Sequence, residues 1–133
     1  HYILGKFTDV NGIVTNTAGL YDVEDVISAS FRFENGAVGS GIWSFAASPL
    51  DREDIIEIRG TKATIRFSTF LFTPIELIME KRTESYNIQP PEHIQQPLIQ
   101  SIVDEVLGKG VCLSDGETAA HTSWVIDKIF GIL

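Results

Sequence analysis

The histidines are the first residues to weigh for chemistry, and there are three: His1, His93 and His121. They lie far apart, and none stands at metal-ligand spacing from a cysteine, aspartate or glutamate. His93 falls at the start of one predicted helix and His121 on the side of another, so both are expected to face solvent. Asp51, Glu53 and Asp54 would suit paired acid and base work. Arg52 sits among them, however, and a strand begins at Ile55, so they read as a solvated turn. The run NGAVGSG, residues 35 to 41, has the glycines of a phosphate loop. It follows a hairpin turn and no helix succeeds it, which leaves no helix N-terminus to receive an anion. Cys112 has no charged neighbour and reads as a small core hydrophobe. Trp43 is the residue with most to offer. On a strand otherwise made of glycine and serine it is either core or a stacking surface for a ligand ring or a partner subunit.

The elements that would position these residues are mostly strands. HYILGK, residues 1 to 6, resembles a helix end with Gly5 at the C′ position. FTDVNGIVT reads as a strand that Asn11-Gly12 breaks with a bulge or tight turn. Residues 26 to 33 alternate cleanly, with Ile27, Ala29, Phe31 and Phe33 on one face and Ser28, Ser30 and Arg32 on the other. Asn35-Gly36 predicts a two-residue type I′ turn, which pairs Phe33 with Val38, Phe31 with Ser40 and Ala29 with Ile42. The opposite face would then hold Ser28, Ser30, Arg32, Gly39, Gly41 and Trp43. A face so poor in side chains is expected to meet a partner subunit, a substrate or solvent. A second hairpin sets Ile56 and Ile58 against Ile65 and Phe67 around Gly60-Thr61-Lys62. PIELIMEKR and ESYNI add two strands more. From Pro90 the period changes: Ile94, Leu98, Ile102 and Val106, flanked by Ile99 and Val103, predict a helix that starts near the prolines and stops at Gly108. Ser114-x-x-Glu117 has the form of a capping box, opening a second helix with the stripe Thr122, Val125, Ile126, Ile129 and Leu133. The fold class is therefore α+β: a largely antiparallel, open-faced sheet with two C-terminal helices on the Phe31/Phe33 face.

The length, 133 residues, suits a single domain over 1–133. The net charge of −8 argues against a nucleic-acid partner, which needs clustered Lys and Arg. No apolar run approaches the ~18 residues of a membrane span, so no membrane partner is expected. One cysteine excludes an internal disulfide and points to a reducing, cytoplasmic compartment.

In order along the chain, VEDVISASFRFENGAVGSGIWSFAAS, IIEIRGTKATIRFS, HIQQPLIQSIVDEVLGKG and SDGETAAHTSWVIDKI resemble the C-terminal domain of the Gfo/Idh/MocA family, the glucose-fructose oxidoreductase and inositol dehydrogenase group. The likeness covers nearly the whole chain and lies in the ordered series of turns and helices, not in one motif. It implies an NAD(P)-dependent, sugar-type oxidoreductase whose Rossmann domain, with its GxGxxG loop, and whose catalytic His and Asp lie upstream of His1. His1 itself does not match that histidine, because Tyr2, Ile3 and Leu4 follow it with no acidic residue. By the same resemblance the chain supplies no catalytic or cofactor-binding residue and no metal ligand, and alone it is expected to be inactive and to bind neither NAD nor NADP. It would contribute substrate binding through Trp43, Phe45 and Ser48, on the segment leading to the sugar. It would also contribute homo-oligomerisation through the exposed sheet face, where Gly41→Arg is expected to weaken association. The rival reading is a stand-alone binding or assembly module of the same fold.

Overall fold

The computed structural model describes residues 1–132, and Leu133, the last residue of the predicted helix stripe, lies outside them. Seven strands and two helices follow one another as β1 (Phe7–Thr15), β2 (Val26–Phe33), β3 (Val38–Ser44), β4 (Ile56–Arg59), β5 (Thr64–Phe67), β6 (Ile75–Ile78), β7 (Thr83–Tyr86), α1 (Gln96–Val106) and α2 (Gly116–Phe130). All pairings are antiparallel, in two sheets ordered β1-β2-β3 and β4-β5-β6-β7. The α+β class holds, but the strands form two sheets where the sequence suggested one run. The break falls at residues 45–55, too long for a hairpin loop, which contain a 3-10 turn at Pro49–Asp51. Two compact units result. The first is His1–Ser48 together with the chain from Cys112 onward, and the second is Pro49–Val111.

In the first unit α2 packs on β1. The asparagine-glycine pair of β1 neither turns nor bulges: Asn11 and Gly12 run through the strand opposite Ser30 and Ala29, and the irregularity lies between Phe7 and Asp9. Gly12 is glycine for a packing reason. A Cβ there would stand 2.6 Å from the carbonyl oxygen of Ile129 and 2.8 Å from its Cα, so the helix backbone rests directly on the strand. The helix begins at Asp115, whose carboxylate accepts from the Thr118 amide at 2.8 Å, one residue after the predicted cap at Ser114. It ends at Gly131, φ +68°, in the left-handed conformation that suits a C-terminal glycine. Gly5, φ +88°, likewise closes a turn, donating to the His1 carbonyl at 2.8 Å.

The β2–β3 hairpin differs from its predicted register by one residue. Its loop has three residues, with the Phe33 amide donating to Ala37 O at 2.9 Å and the Gly36 amide donating to Phe33 O at 2.9 Å. Gly36 alone takes a positive φ, +86°. Asn35 instead uses its side-chain oxygen to accept from the Ala37 amide at 2.9 Å, so the turn is not type I′. A one-residue slip moves every side chain of the returning strand to the other face. Phe31 is thus opposite Gly39, Ala29 opposite Gly41 and Ile27 opposite Trp43. The physical reason is volume. Phe31 and Phe33 lie over Gly39, whose Cβ would be 3.9 and 3.7 Å from their rings, and Trp43 lies over Gly41, with Cη2 2.5 Å from where a Cβ would be. The glycines make room for aromatic rings of their own sheet. We expect Gly41→Ala to push the outer end of the Trp43 ring aside at a cost of about 1 kcal/mol, the low end for overpacking, because a side-chain tip and not backbone must shift. In a Trp124→Phe background the tryptophan emission should therefore shift with only a small fall in the denaturation midpoint.

In the second unit the predicted pairing is borne out, Ile56 with Phe67 and Ile58 with Ile65, and β6 and β7 extend the sheet. On its other face Glu57 pairs with Arg59 and Arg66, both at 2.8 Å. Helix α1 starts at Gln96, later than the prolines at 90 and 91 suggested, with Pro97 in its first turn, and Gly108, φ +68°, follows its end.

Candidate functional site

The aromatic residues of the first unit form a connected series. Phe7 meets Phe33 at 4.6 Å and Phe31 at 5.3 Å between ring centroids, and Phe31 meets Trp43 edge-on at 6.3 Å. On the helix side Phe7 stacks on His121 at 5.9 Å, and His121 stacks on Trp124 at 5.3 Å. His121 is therefore half-buried, which corrects the solvent-facing reading. Its Nε2 accepts from the Phe7 amide at 3.0 Å, so that nitrogen carries no proton and the side chain ties α2 to the start of β1. His93 is exposed as expected. The buried Cys112 thiol lies 3.5 Å from Ser114 O, consistent with a core role.

Trp43 stands at the end of β3 on the aromatic face, not on the small-residue face where the predicted register put it. It is 45% exposed, so one part of the ring packs on Phe31 and Gly41 and another faces solvent. Phe45 follows the strand with its ring exposed, and Ser48 is exposed in the loop beyond. The three residues share one stretch at one end of the sheet.

What holds that end was not singled out by sequence reasoning. Asp25 is 1% exposed, the most buried polar residue. Its carboxylate accepts from the Thr17 and Ala18 amides, each at 2.7 Å. Its own amide donates to Thr15 O at 3.0 Å, and its carbonyl accepts from the Phe45 amide at 2.8 Å. One residue thus fastens the β1–β2 loop to the segment after Trp43. The only signal in sequence was an aspartate just before a clean strand. The Thr17 amide, then the Ala18 amide, hold its carboxyl below the usual carboxylate range against the opposing effect of burial. A depressed folded-state pKa contributes stability that is complete above the unfolded value, about 4, and is lost as pH falls through the folded value. Denaturant midpoints taken from about pH 6 down to about pH 3 should therefore fall further for the wild-type chain than for Asp25→Asn.

The open face of the three-stranded sheet carries Asn11, Ile13, Ser28, Ser30, Arg32, Val38, Ser40 and Ile42. Ser28, Ser30 and Arg32 are there as predicted, but the register change replaces Gly39, Gly41 and Trp43 with Val38, Ser40 and Ile42. Ile13, Ser28 and Ile42 form one cross-strand row. In the second unit a shallow pocket of about 330 Å³ lies among Arg52, Asp54, Ile55, Phe67, Leu71 and Pro74. Asp54 accepts there from the Ser68 hydroxyl and from the Phe70 amide at 2.6 Å, bonds that brace the turn at residues 68 to 70. The glycine-rich run is a strand, not a phosphate loop. Among the described residues no group of three or more His, Cys, Asp or Glu is placed to hold a metal ion. Among the same residues no helix is long and apolar enough to cross a membrane.

Comparison with known proteins places this arrangement. The profile of the GFO/IDH/MocA C-terminal domain matches residues 1–66. The chain belongs to the GFO/IDH/MocA C-terminal domain family. Oxidoreductase P35 of Formosa agariphila is 33% identical over 105 residues, 79% of this chain and 32% of that protein. An oxidoreductase from Agrobacterium radiobacter, solved with NAD+, L-tartaric acid and magnesium, superposes with a TM-score of 0.82 at 20% identity, over 98% of this chain and 42% of that one. Levoglucosan dehydrogenase, solved with NADH, gives 0.80 at 18% identity over 98% and 43%. The GFO/IDH/MocA chain described here thus spans about a third to two fifths of these relatives, and the solved structures establish its fold.

Proposed function

We propose that these residues form the substrate-binding and assembly domain of an NAD(P)-dependent oxidoreductase acting on a sugar-type substrate, with the nicotinamide cofactor and the reacting groups held on other parts of the protein. The family match carries this reading. Levoglucosan dehydrogenase and the Agrobacterium oxidoreductase, which hold nicotinamide cofactors, support the cofactor class. In the site, Trp43 and Phe45 offer rings for the C–H face of a sugar, and Ser48 a hydroxyl beside them.

The open face of the three-stranded sheet supports the assembly role. The open sheet face, with Ile13, Val38 and Ile42 set among serines, is the surface suited to meet a second copy about a two-fold axis. Since Gly41 lies under Trp43, the informative substitution is Ser30→Arg, which adds a long cation to the open face. Light scattering should then show weaker association.

The test of activity uses the full-length protein with NAD+ or NADP+ and a panel of levoglucosan, D-glucose, D-xylose and myo-inositol, read by nicotinamide absorbance. Turnover of one or more of these is expected; none with either cofactor sinks the reading. For the 133-residue chain alone, calorimetry with NAD+ and NADP+ at micromolar concentration should give no saturable heat. A binding isotherm would relocate the cofactor site.

A further inference from the structure

The β1–β2 loop, residues 16 to 24, has the features of a built wall. Besides the two amides held by Asp25, the Asn16 side chain donates to Tyr21 O and accepts from the Gly19 amide at 2.8 Å, with Gly19 at φ +63°. A loop braced from both ends nonetheless turns Leu20, Tyr21 and Val23 outward, with Leu20 81% exposed. Loops that only connect strands are ordinarily polar and mobile, and apolar side chains held out from a hydrogen-bonded loop suit a surface that something covers. Strand order puts this loop at the Thr15–Val26–Ser44 end of the sheet, and the Asp25 carbonyl joins it to Phe45.

Resting on the proposal that Trp43, Phe45 and Ser48 bind substrate, we infer that Asp25 is a positioning residue that couples the 16–24 loop to that segment, and that Tyr21 and Leu20 on this loop select among sugar rings. The carboxylate does not touch substrate. Taking both Thr17 and Ala18 amides fixes the loop, and the same residue's carbonyl fixes Phe45, so the two stretches are held as one preorganised wall. Preorganisation of this kind improves binding by removing the ordering cost, and it acts on KM more than on the chemical step. An aromatic ring and a leucine on the second stretch would read the pattern of C–H and O–H groups that distinguishes an open-faced pyranose from an anhydro sugar.

The experiment uses the full-length enzyme with its nicotinamide cofactor and the best-turned-over sugar of the panel above. Asp25→Asn leaves one of the two loop amides without its acceptor. Asn16→Ala loosens the loop from its exposed side and leaves the buried carboxylate intact. Each is expected to raise KM roughly tenfold with kcat within about twofold, at an unchanged melting temperature for Asn16→Ala. Tyr21→Ala should alter the ratio of kcat/KM between D-glucose and levoglucosan by about fivefold or more. Trp43→Ala serves as the separate check on the underlying proposal. If Trp43→Ala raises KM while Asn16→Ala and Tyr21→Ala leave KM and sugar preference unchanged, the coupling is refuted and the substrate segment stands. If Trp43→Ala has no effect on KM, the substrate segment itself is wrong and the inference falls with it. Should Asp25→Asn fail to fold, Asn16→Ala and Tyr21→Ala decide the matter alone.

Discussion

Replacing Phe33 with alanine should cost about 3 to 5 kcal/mol of stability, the range for removing a well-buried aromatic ring. Phe33 is 8% exposed, sits 4.6 Å from Phe7 between centroids, and lies over Gly39. Gly39 beneath it has no side chain to fill the space, so the size of the loss depends on how far the Phe7 ring relaxes towards it. Phe31, only half-buried and resting edge-on against Trp43, is expected to cost less. Urea denaturation of the two variants side by side checks both statements. A Phe33→Ala loss under about 1 kcal/mol would mean that the core of this unit lies elsewhere.

Gly12→Val should be comparably damaging for the opposite reason. The added Cβ would lie 2.6 to 2.8 Å from backbone and side-chain atoms of Ile129, and a helix backbone cannot rotate aside as a side-chain tip can. Either α2 moves off β1 or the strand bends, and overpacking of this sort costs about 1 to 3 kcal/mol, occasionally more. Loss of the seat of α2 would also release the bond from the Phe7 amide to His121 Nε2. The expected result is a destabilisation of about 3 kcal/mol together with loss of the ordered environment of Trp124, visible in near-ultraviolet circular dichroism. Gly39→Ala is the control, since its Cβ would meet only ordinary contacts at 3.7 and 3.9 Å. It should fall within about 0.5 kcal/mol of the wild type.

Much of this was legible in the linear order of residues because it rests on local rules. Alternation at residues 26 to 33 marked β2 and its two faces, since side chains in a strand alternate by geometry alone. The pairing of Ile56 and Ile58 with Phe67 and Ile65 followed from a short turn between apolar positions. The fourfold spacing from Ile94 to Val106 and the glycine at 108 marked α1, and the ordered series of turns and helices marked the family.

What only the tertiary structure decided depends on space between elements. Asn35-Gly36 is compatible with both a two-residue and a three-residue loop, which differ little locally. The choice fell to the aromatic rings of β2 and to Trp43, which need glycine across from them or beneath them, and that choice set which residues the open face presents. The Asn11-Gly12 pair carried the signal of a turn, yet Gly12 serves the approach of a helix more than a hundred residues away in sequence. In the sequence Asp25 was only an aspartate before a clean strand and His121 only a histidine on a helix side, because a buried carboxylate and a half-buried imidazole are defined by the amides that reach them. Those amides belong to Thr17, Ala18 and Phe7, and only the folded chain brings them within hydrogen-bonding distance.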